Sequence, residues 1–161
     1  MSSGNTRATS KFEANDSDFE LPRQFANRLQ LGQLELGAYL RSVLGGHPVH
    51  SSETLARAAG FTGIPLAGAH VLGAALAAFT QCLATRPIQL TGIRSRFLAP
   101  VYPGDLISVA LSLDVASVKK RAHSQSGCYV GGCVLENGRT AIDLEIDLRL
   151  VTTGAQVHKI D

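Results

Sequence analysis

The sequence lacks tryptophan, and only 6% of its 161 residues are aromatic. Proteins that bind single-stranded nucleic acid stack bases on aromatic rings and carry a strong basic charge, whereas the formal net charge here is only +2. We therefore expect no nucleic-acid partner.

Paired cysteines are also absent. The three cysteines, Cys82, Cys128 and Cys133, form neither an even set nor a Cys-x-x-Cys pair. This pattern is typical of reduced thiols in a cytoplasmic protein. The amino end has no apolar signal region, so we expect no export. A zinc site built from His47, His50 and a cysteine is disfavoured, because the metal-binding spacings are missing, and we expect neither a metal nor a cofactor.

Charge is missing from the middle of the chain, from Ala58 to Thr85. The second part of this run, Leu66 to Ala84, is rich in alanine, leucine, valine and glycine on every side. A helix that is apolar all round must be surrounded, so we predict a buried central helix of about 19 residues, roughly 28 Å long. A membrane span is disfavoured, because His70 and Gln81 interrupt the run and alanine is only weakly hydrophobic.

The rest of the chain divides into helices before this stretch and strands after it. We predict a disordered tail over 1–18, one folded domain over 19–153 and a short tail over 154–161. Apolar spacing predicts a short strand over 19–25, a helix over 33–44, and a second helix capped by Ser51 or Ser52.

Period-two alternation predicts strands over 88–97, 107–116 and 142–150, with a further strand within 122–135. Lys119 and Lys120 fall near a predicted turn, and Asn137-Gly138 predicts a hairpin with a type I′ turn. The expected class is α+β, with an antiparallel sheet curled around one central helix.

Two separated motifs resemble the MaoC-like branch of the hotdog fold, which includes the (R)-specific enoyl-CoA hydratases and related dehydratases. The first family motif is Asp-x-Asn-Pro-x-His, followed by a Gly-Phe and by a His-Gly that opens the central helix. The second is an aromatic residue followed by Pro-Val-x-Pro-Gly-Asp. The matching positions here are Pro48, His50, Gly60, Phe61, Gly68, Phe97 and residues 100–105. The resemblance covers about 33–151 and implies a curved antiparallel sheet wrapped around a long helix.

The departures from the family pattern fall on the catalytic positions. Gly45 stands where the family has its catalytic Asp, His47 where it has Asn, and Ala67 where a His precedes the helix glycine. The resemblance implies that His50 is the surviving half of an acid/base pair, with His47 as either a replacement base or a turn residue. It also implies substrate contacts at Gly68, whose amide would polarise a thioester carbonyl, and at Gly45.

Five other polar residues have both a structural and a functional interpretation. His70, within the apolar helix, is predicted to be a core histidine. Arg94 and Arg96 would reach coenzyme A phosphates or form a solvated face. Asp105 is expected at a structural turn before a strand, and Glu53 is either near the site or a favourable residue in a helix first turn.

Three functions fit these features. The leading hypothesis is a hydratase or dehydratase acting on an acyl thioester of coenzyme A or a carrier protein. The second is a non-catalytic hotdog subunit that binds acyl thioester or pairs with an active partner. The third is an enzyme repurposed for isomerisation, cyclisation or another reaction on a polyketide-like intermediate. A homodimer, or a heterodimer with a related chain, is expected in each case, because an open sheet edge invites pairing.

Overall fold

The computed structural model describes residues 20–43, 46–83, 86–121 and 124–151. The helices are α1 (Gln33–Ser42), α2 (Glu53–Ala58) and α3 (Gly68–Gln81), with a 3-10 turn at Pro48–His50 before α2. The strands are β1 (Gln24–Gln30), β2 (Ile88–Phe97), β3 (Leu106–Arg121), β4 (Ser124–Leu135) and β5 (Thr140–Val151). The predicted α+β class is confirmed. The predicted tails lie outside the described residues.

The five strands form one antiparallel sheet in the order β1-β3-β4-β5-β2. Alternation along β5 buries Ile142, Leu144 and Ile146 on the inner face, which α3 covers. The ring of Phe79 on α3 makes edge-to-face contacts with Phe25 at 5.4 Å and Tyr129 at 4.9 Å between ring centroids. The core therefore lies between one helix and one face of the sheet.

Close approach of neighbouring backbones shapes the middle of β4. A Cβ atom on Gly131 would lie 2.0 Å from the carbonyl oxygen of Ala110, and one on Gly132 would lie 2.2 Å from that of Ile142. Both distances are far below van der Waals contact, so only glycine fits where β3 and β5 come this close to β4.

The central helix differs from its prediction in length and in coverage. It has 14 residues, and Ala69, Gly73 and Ala77 are exposed at four-residue spacing. The expectation that the chain surrounds it completely is wrong, because alanine and glycine expose little apolar area and demand little cover. No helix in the described ranges is long and apolar enough to cross a membrane.

The strand expected over 19–25 lies instead at Gln24–Gln30. After α3, strand and turn positions agree with the sequence patterns better than strand ends and turn types do. The strand predicted over 107–116 continues through Lys119 and Lys120 to Arg121, with irregular pairing in between. The hairpin at Asn137-Gly138 is confirmed, but its turn bond runs from the Gly138 amide to the Leu135 carbonyl. Type I′ would centre the turn on Asn137 and Gly138, so that part of the prediction is wrong; instead Gly138, at φ 80°, follows the turn.

Candidate active site

A cavity of about 470 Å³ lies between the start of α3, the segment before it, and the segment that follows β2. Thirteen described residues line it: His50, Phe61, Pro65, Leu66, Gly68, Ala69, Val71, Phe97, Leu98, Ala99, Pro100, Val101 and Ile142. The cavity therefore brings together both motifs of the sequence, which are separated by the whole of α3.

Hydrogen bonds donated by backbone amides fix the walls of the cavity relative to one another. The Leu66 amide donates to the Val101 carbonyl at 2.8 Å, and the Thr62 amide donates to the Tyr102 hydroxyl at 3.2 Å. The Leu98 amide donates to the carbonyl of Ala141 at the start of β5, also at 2.8 Å. These bonds hold the wall segments without using any polar side chain that faces the cavity.

The cavity has an exposed end and a buried end. Phe97 and Leu98 are 54% and 51% exposed, whereas Val71 and Ile142 are each 1% exposed. An apolar group of a ligand would fit at the buried end, and a polar group at the exposed end.

His50 lies on the 3-10 turn and lines the cavity, and one hydrogen bond indicates which tautomer its neutral ring adopts. Its Nδ1 lies 3.0 Å from the carbonyl oxygen of Pro65. A carbonyl oxygen only accepts, so in the neutral ring Nδ1 carries the proton and Nε2 carries the free lone pair. Within the described residues Nε2 makes no hydrogen bond. His50 is therefore set up to take a proton at Nε2.

The first turn of α3 supplies hydrogen-bond donors to the same cavity. The helix is preceded by Ala67, and no side chain caps it. The amides of Gly68 and Ala69, two lining residues, lie in the first turn, where intrahelical acceptors are missing. A Cβ on Gly68 would lie 2.6 Å from the Phe97 ring, so glycine allows the ring to pack against the helix start. Such amides favour an oxygen that develops negative charge.

The other candidate residues that the structure describes do not line this cavity. His47 is exposed, and its Nδ1 accepts the Val49 amide at 3.3 Å, which caps the 3-10 turn. Glu53 is paired with Arg57 in the first turn of α2. Gly45 lies outside the described residues.

The two arginines of β2 are engaged with β5 on the outer face of the sheet. Arg94 is paired with Glu145 and Arg96 with Asp143, and both arginine side chains remain largely exposed, as expected of a solvated face. The carboxylate of Asp105 accepts the Tyr102 amide at 2.8 Å, which is the structural turn role predicted for it.

The thiols offer no alternative nucleophile. All three cysteines are free, and burial raises the pKa of Cys128 and of Cys133 to about 11. Both therefore remain protonated at neutral pH. No cluster of potential metal ligands occurs among the described side chains.

His70 lies on the side of α3 that faces α1, away from the cavity. Its ring stacks on Tyr39 at a centroid distance of 4.7 Å and an interplanar angle of 5°. Its Nδ1 is buried without a hydrogen-bond partner in the part of the chain described. Burial lowers the pKa of His70, and Glu35 partly opposes this. The neutral ring is thus a packing element.

We expect this burial to make stability depend on pH. Because the pKa of His70 is lowered in the folded state, the unfolded chain takes up the proton first as pH falls below the ordinary value of about 6.5. The free energy of unfolding then decreases until the pH passes the lowered pKa. Thermal unfolding between pH 7.5 and 5 should show a steeper loss for the wild type than for His70→Phe, which keeps a ring against Tyr39. Equal slopes for the two proteins would contradict this.

Several lining residues carried no functional signal in the sequence. The Pro65 carbonyl that orients His50 is a backbone group, which no residue pattern reveals. Val71 and Ile142 were predictable as buried from their periodicity, but not as the closed end of a cavity.

Comparison with known families identifies one match. The model of the MaoC like domain family matches residues 45–133, more than half of the chain. This range contains His50 and all but one of the lining residues. A comparison with curated protein sequences gave no significant match.

Solved structures share the fold at low sequence identity. The monoamine oxidase regulatory protein from Archaeoglobus fulgius superposes with a TM-score of 0.72 at 17% identity, covering 84% of this chain and 92% of its own. The (R)-hydratase from A. caviae involved in PHA biosynthesis gives 0.68 at 16% identity, covering 82% and 97%. The Mycobacterium tuberculosis HadBC (3R-hydroxyacyl-ACP dehydratase) complex gives 0.64 at 19% identity, covering 79% and 96%. The predicted hotdog fold is thereby confirmed.

Proposed function

Because the chain belongs to the MaoC-like domain family, we propose that it binds an acyl thioester and adds or removes water across the α,β double bond of the acyl group. The observation that carries this proposal is the contact between Nδ1 of His50 and the Pro65 carbonyl oxygen, from which the tautomer follows. The Nδ1–H of His50 is held by the Pro65 carbonyl at 3.0 Å, and its Nε2 is left as a base in an apolar cavity.

Besides a base, this chemistry requires hydrogen-bond donors to the thioester carbonyl oxygen, and the start of α3 would supply them. Removing a proton beside a thioester, or adding a nucleophile to the conjugated double bond, places negative charge on the carbonyl oxygen. The amides of Gly68 and Ala69 would donate to that oxygen, and the apolar surroundings would strengthen the interaction. His50 would meanwhile move the proton at the acyl chain.

The fold neighbours named as an (R)-hydratase and a (3R)-hydroxyacyl-ACP dehydratase support the reaction class. The thioester carrier is coenzyme A or a carrier protein. The predicted roles of His47 as a second base and of Gly45 as a substrate contact stay predictions. His47 would need to leave its capping bond with the Val49 amide to reach a substrate.

The test is a panel of 2-enoyl and 3-hydroxyacyl thioesters of increasing chain length, on coenzyme A and on pantetheine. Loss or gain of the conjugated double bond is followed by absorbance, and water addition by mass. Turnover above the rate of His50→Gln supports the proposal. Absence of turnover on every thioester by a folded protein would reject it in favour of the non-catalytic binding subunit.

The same proposal includes self-association. In the described sheet β2 pairs only with β5, so its other edge is open. Ile93 on β2 is 46% exposed, and the uncovered side of α3 carries Ala69, Gly73 and Ala77. Exposed apolar surface beside an open strand edge favours pairing with a second copy or with a related chain.

We expect sedimentation to give a dimer for the purified chain, and Ile93→Asp to shift it towards the monomer, because a charge would be buried at the paired edge. Val115→Asp, at a 60% exposed position in the irregular part of β3, is the matched control and should leave the mass unchanged. A wild-type monomer would argue for a heteromeric partner, and a dimer that survives Ile93→Asp would argue for another interface.

A further inference from the structure

The lining of the cavity restricts the chemistry that it can support. Of its thirteen described lining residues, His50 alone has a polar side chain. The other side chains are aliphatic or aromatic, or the residue is glycine. The described lining thus offers one proton-transfer side chain in an apolar environment.

Hydration and double-bond migration make different demands on such a site. Hydration needs a water molecule held against the β-carbon as well as a proton for the α-carbon. An ordered water in a protein interior usually has two to four polar partners; among the described lining side chains only His50 is one, so hydration would also draw on backbone groups. Migration of a double bond needs no water, since one base can remove a proton from one carbon and return it to another.

We propose that this site also moves the double bond of a β,γ-unsaturated acyl thioester into conjugation with the carbonyl, using His50 as the single base. Nε2 removes a proton from the α-carbon, and the electrons of that bond form a dienolate with its charge on the carbonyl oxygen. The imidazolium then returns the proton to the γ-carbon, while the α,β double bond and the carbonyl re-form. Substrate and product are isomers, so no co-reactant is needed.

The environment of His50 suits the transfer of one proton from the α-carbon to the γ-carbon, which we call the single-base shuttle. When Nε2 gains the proton, Nδ1–H still donates to the Pro65 carbonyl, an acceptor that favours the transient imidazolium. Pro65 is itself buried, so the ring keeps its orientation between the two proton transfers. An apolar lining also slows exchange of the abstracted proton with solvent.

This inference rests on thioester binding as proposed above but not on hydration. The full-length protein is given the 3-hexenoyl thioester of coenzyme A and, separately, the 2-hexenoyl thioester. Absorbance follows formation of the conjugated product, and mass follows water addition. We expect isomerisation that His50→Gln slows by about 10²–10⁴-fold, and we expect a substrate deuterated at the α-carbon to carry measurable label to the γ-carbon.

The outcomes separate the two proposals. Hydration without isomerisation overturns the inference and leaves the proposed function intact. Isomerisation without hydration supports the inference and rejects the hydratase assignment. Isomerisation that is equally fast in His50→Gln, or a product without any transferred label, overturns the single-base shuttle. If calorimetry shows binding of hexanoyl-CoA but neither reaction occurs, both proposals fail; absence of binding rejects the thioester premise as well.

Discussion

Replacing His50 with Gln is expected to lower turnover of an acyl thioester by about 10²–10⁴-fold, which is the usual contribution of a positioned acid or base. Gln is similar in length and polarity, but it has no lone pair basic enough to accept a substrate proton. The apolar lining is unchanged, so binding of a saturated thioester should be nearly normal. Steady-state rates together with calorimetric binding of hexanoyl-CoA measure the two effects separately.

The matched control is the same substitution at His70, which lies on the opposite side of α3. His70→Gln should retain activity, although it weakens packing against Tyr39. The melting temperatures of both variants show whether each is folded. If His50→Gln keeps wild-type turnover, the assignment of His50 as the base is wrong, and His47→Gln becomes the decisive variant.

Gly131→Ala is expected to cost about 3 kcal/mol of stability or more, because the new methyl group overlaps a backbone atom that cannot rotate away. The Cβ position lies 2.0 Å from the Ala110 carbonyl oxygen. To relieve this overlap, β3 and β4 would have to separate where Gly131 pairs with Leu111. Gly131 also pairs with Leu144 on β5, so moving its backbone disturbs that pairing as well. For a chain of this size the melting temperature should fall by roughly 10 °C, measured by calorimetry.

Gly37→Ala provides the control of opposite sign. Gly37 lies inside α1, and its added Cβ would meet only the mobile end of the Arg41 side chain at 3.4 Å. Alanine favours a helix over glycine by up to about 1 kcal/mol, so this variant should be slightly more stable. Comparable melting temperatures for the two variants would mean that the sheet accommodates a side chain at Gly131 without loss of stability, which would contradict the prediction.

The fold could be predicted wherever a periodic pattern had one interpretation. Strand β2 was predicted with its observed bounds, and the alternation of β5 identified its buried face correctly. The extent of α3 could not be predicted, because an alanine-rich segment has no amphipathic face to mark its ends or its exposed side. Turn type was also missed, since Asn137-Gly138 fits more than one hairpin geometry.

The candidate site was predictable only in part, for a related reason. The resemblance to the family motifs pointed to His50 and Gly68, and the structure brings both to one cavity. The orientation of His50 depends on the Pro65 carbonyl, and the cavity depends on packing between segments far apart in sequence. For Arg94 and Arg96 the sequence left two interpretations open, phosphate binding and a solvated face, because no local pattern links them to the carboxylates of β5 with which they pair.

The cavity has one exposed end, at Phe97 and Leu98, and one buried end, at Val71 and Ile142. In the proposed reaction, substrate and product would therefore both pass through the exposed end. A product that has not yet departed blocks the next molecule, so product inhibition should be competitive with substrate. Longer acyl tails, which bury more hydrocarbon, should dissociate more slowly and make release the slow step of the cycle.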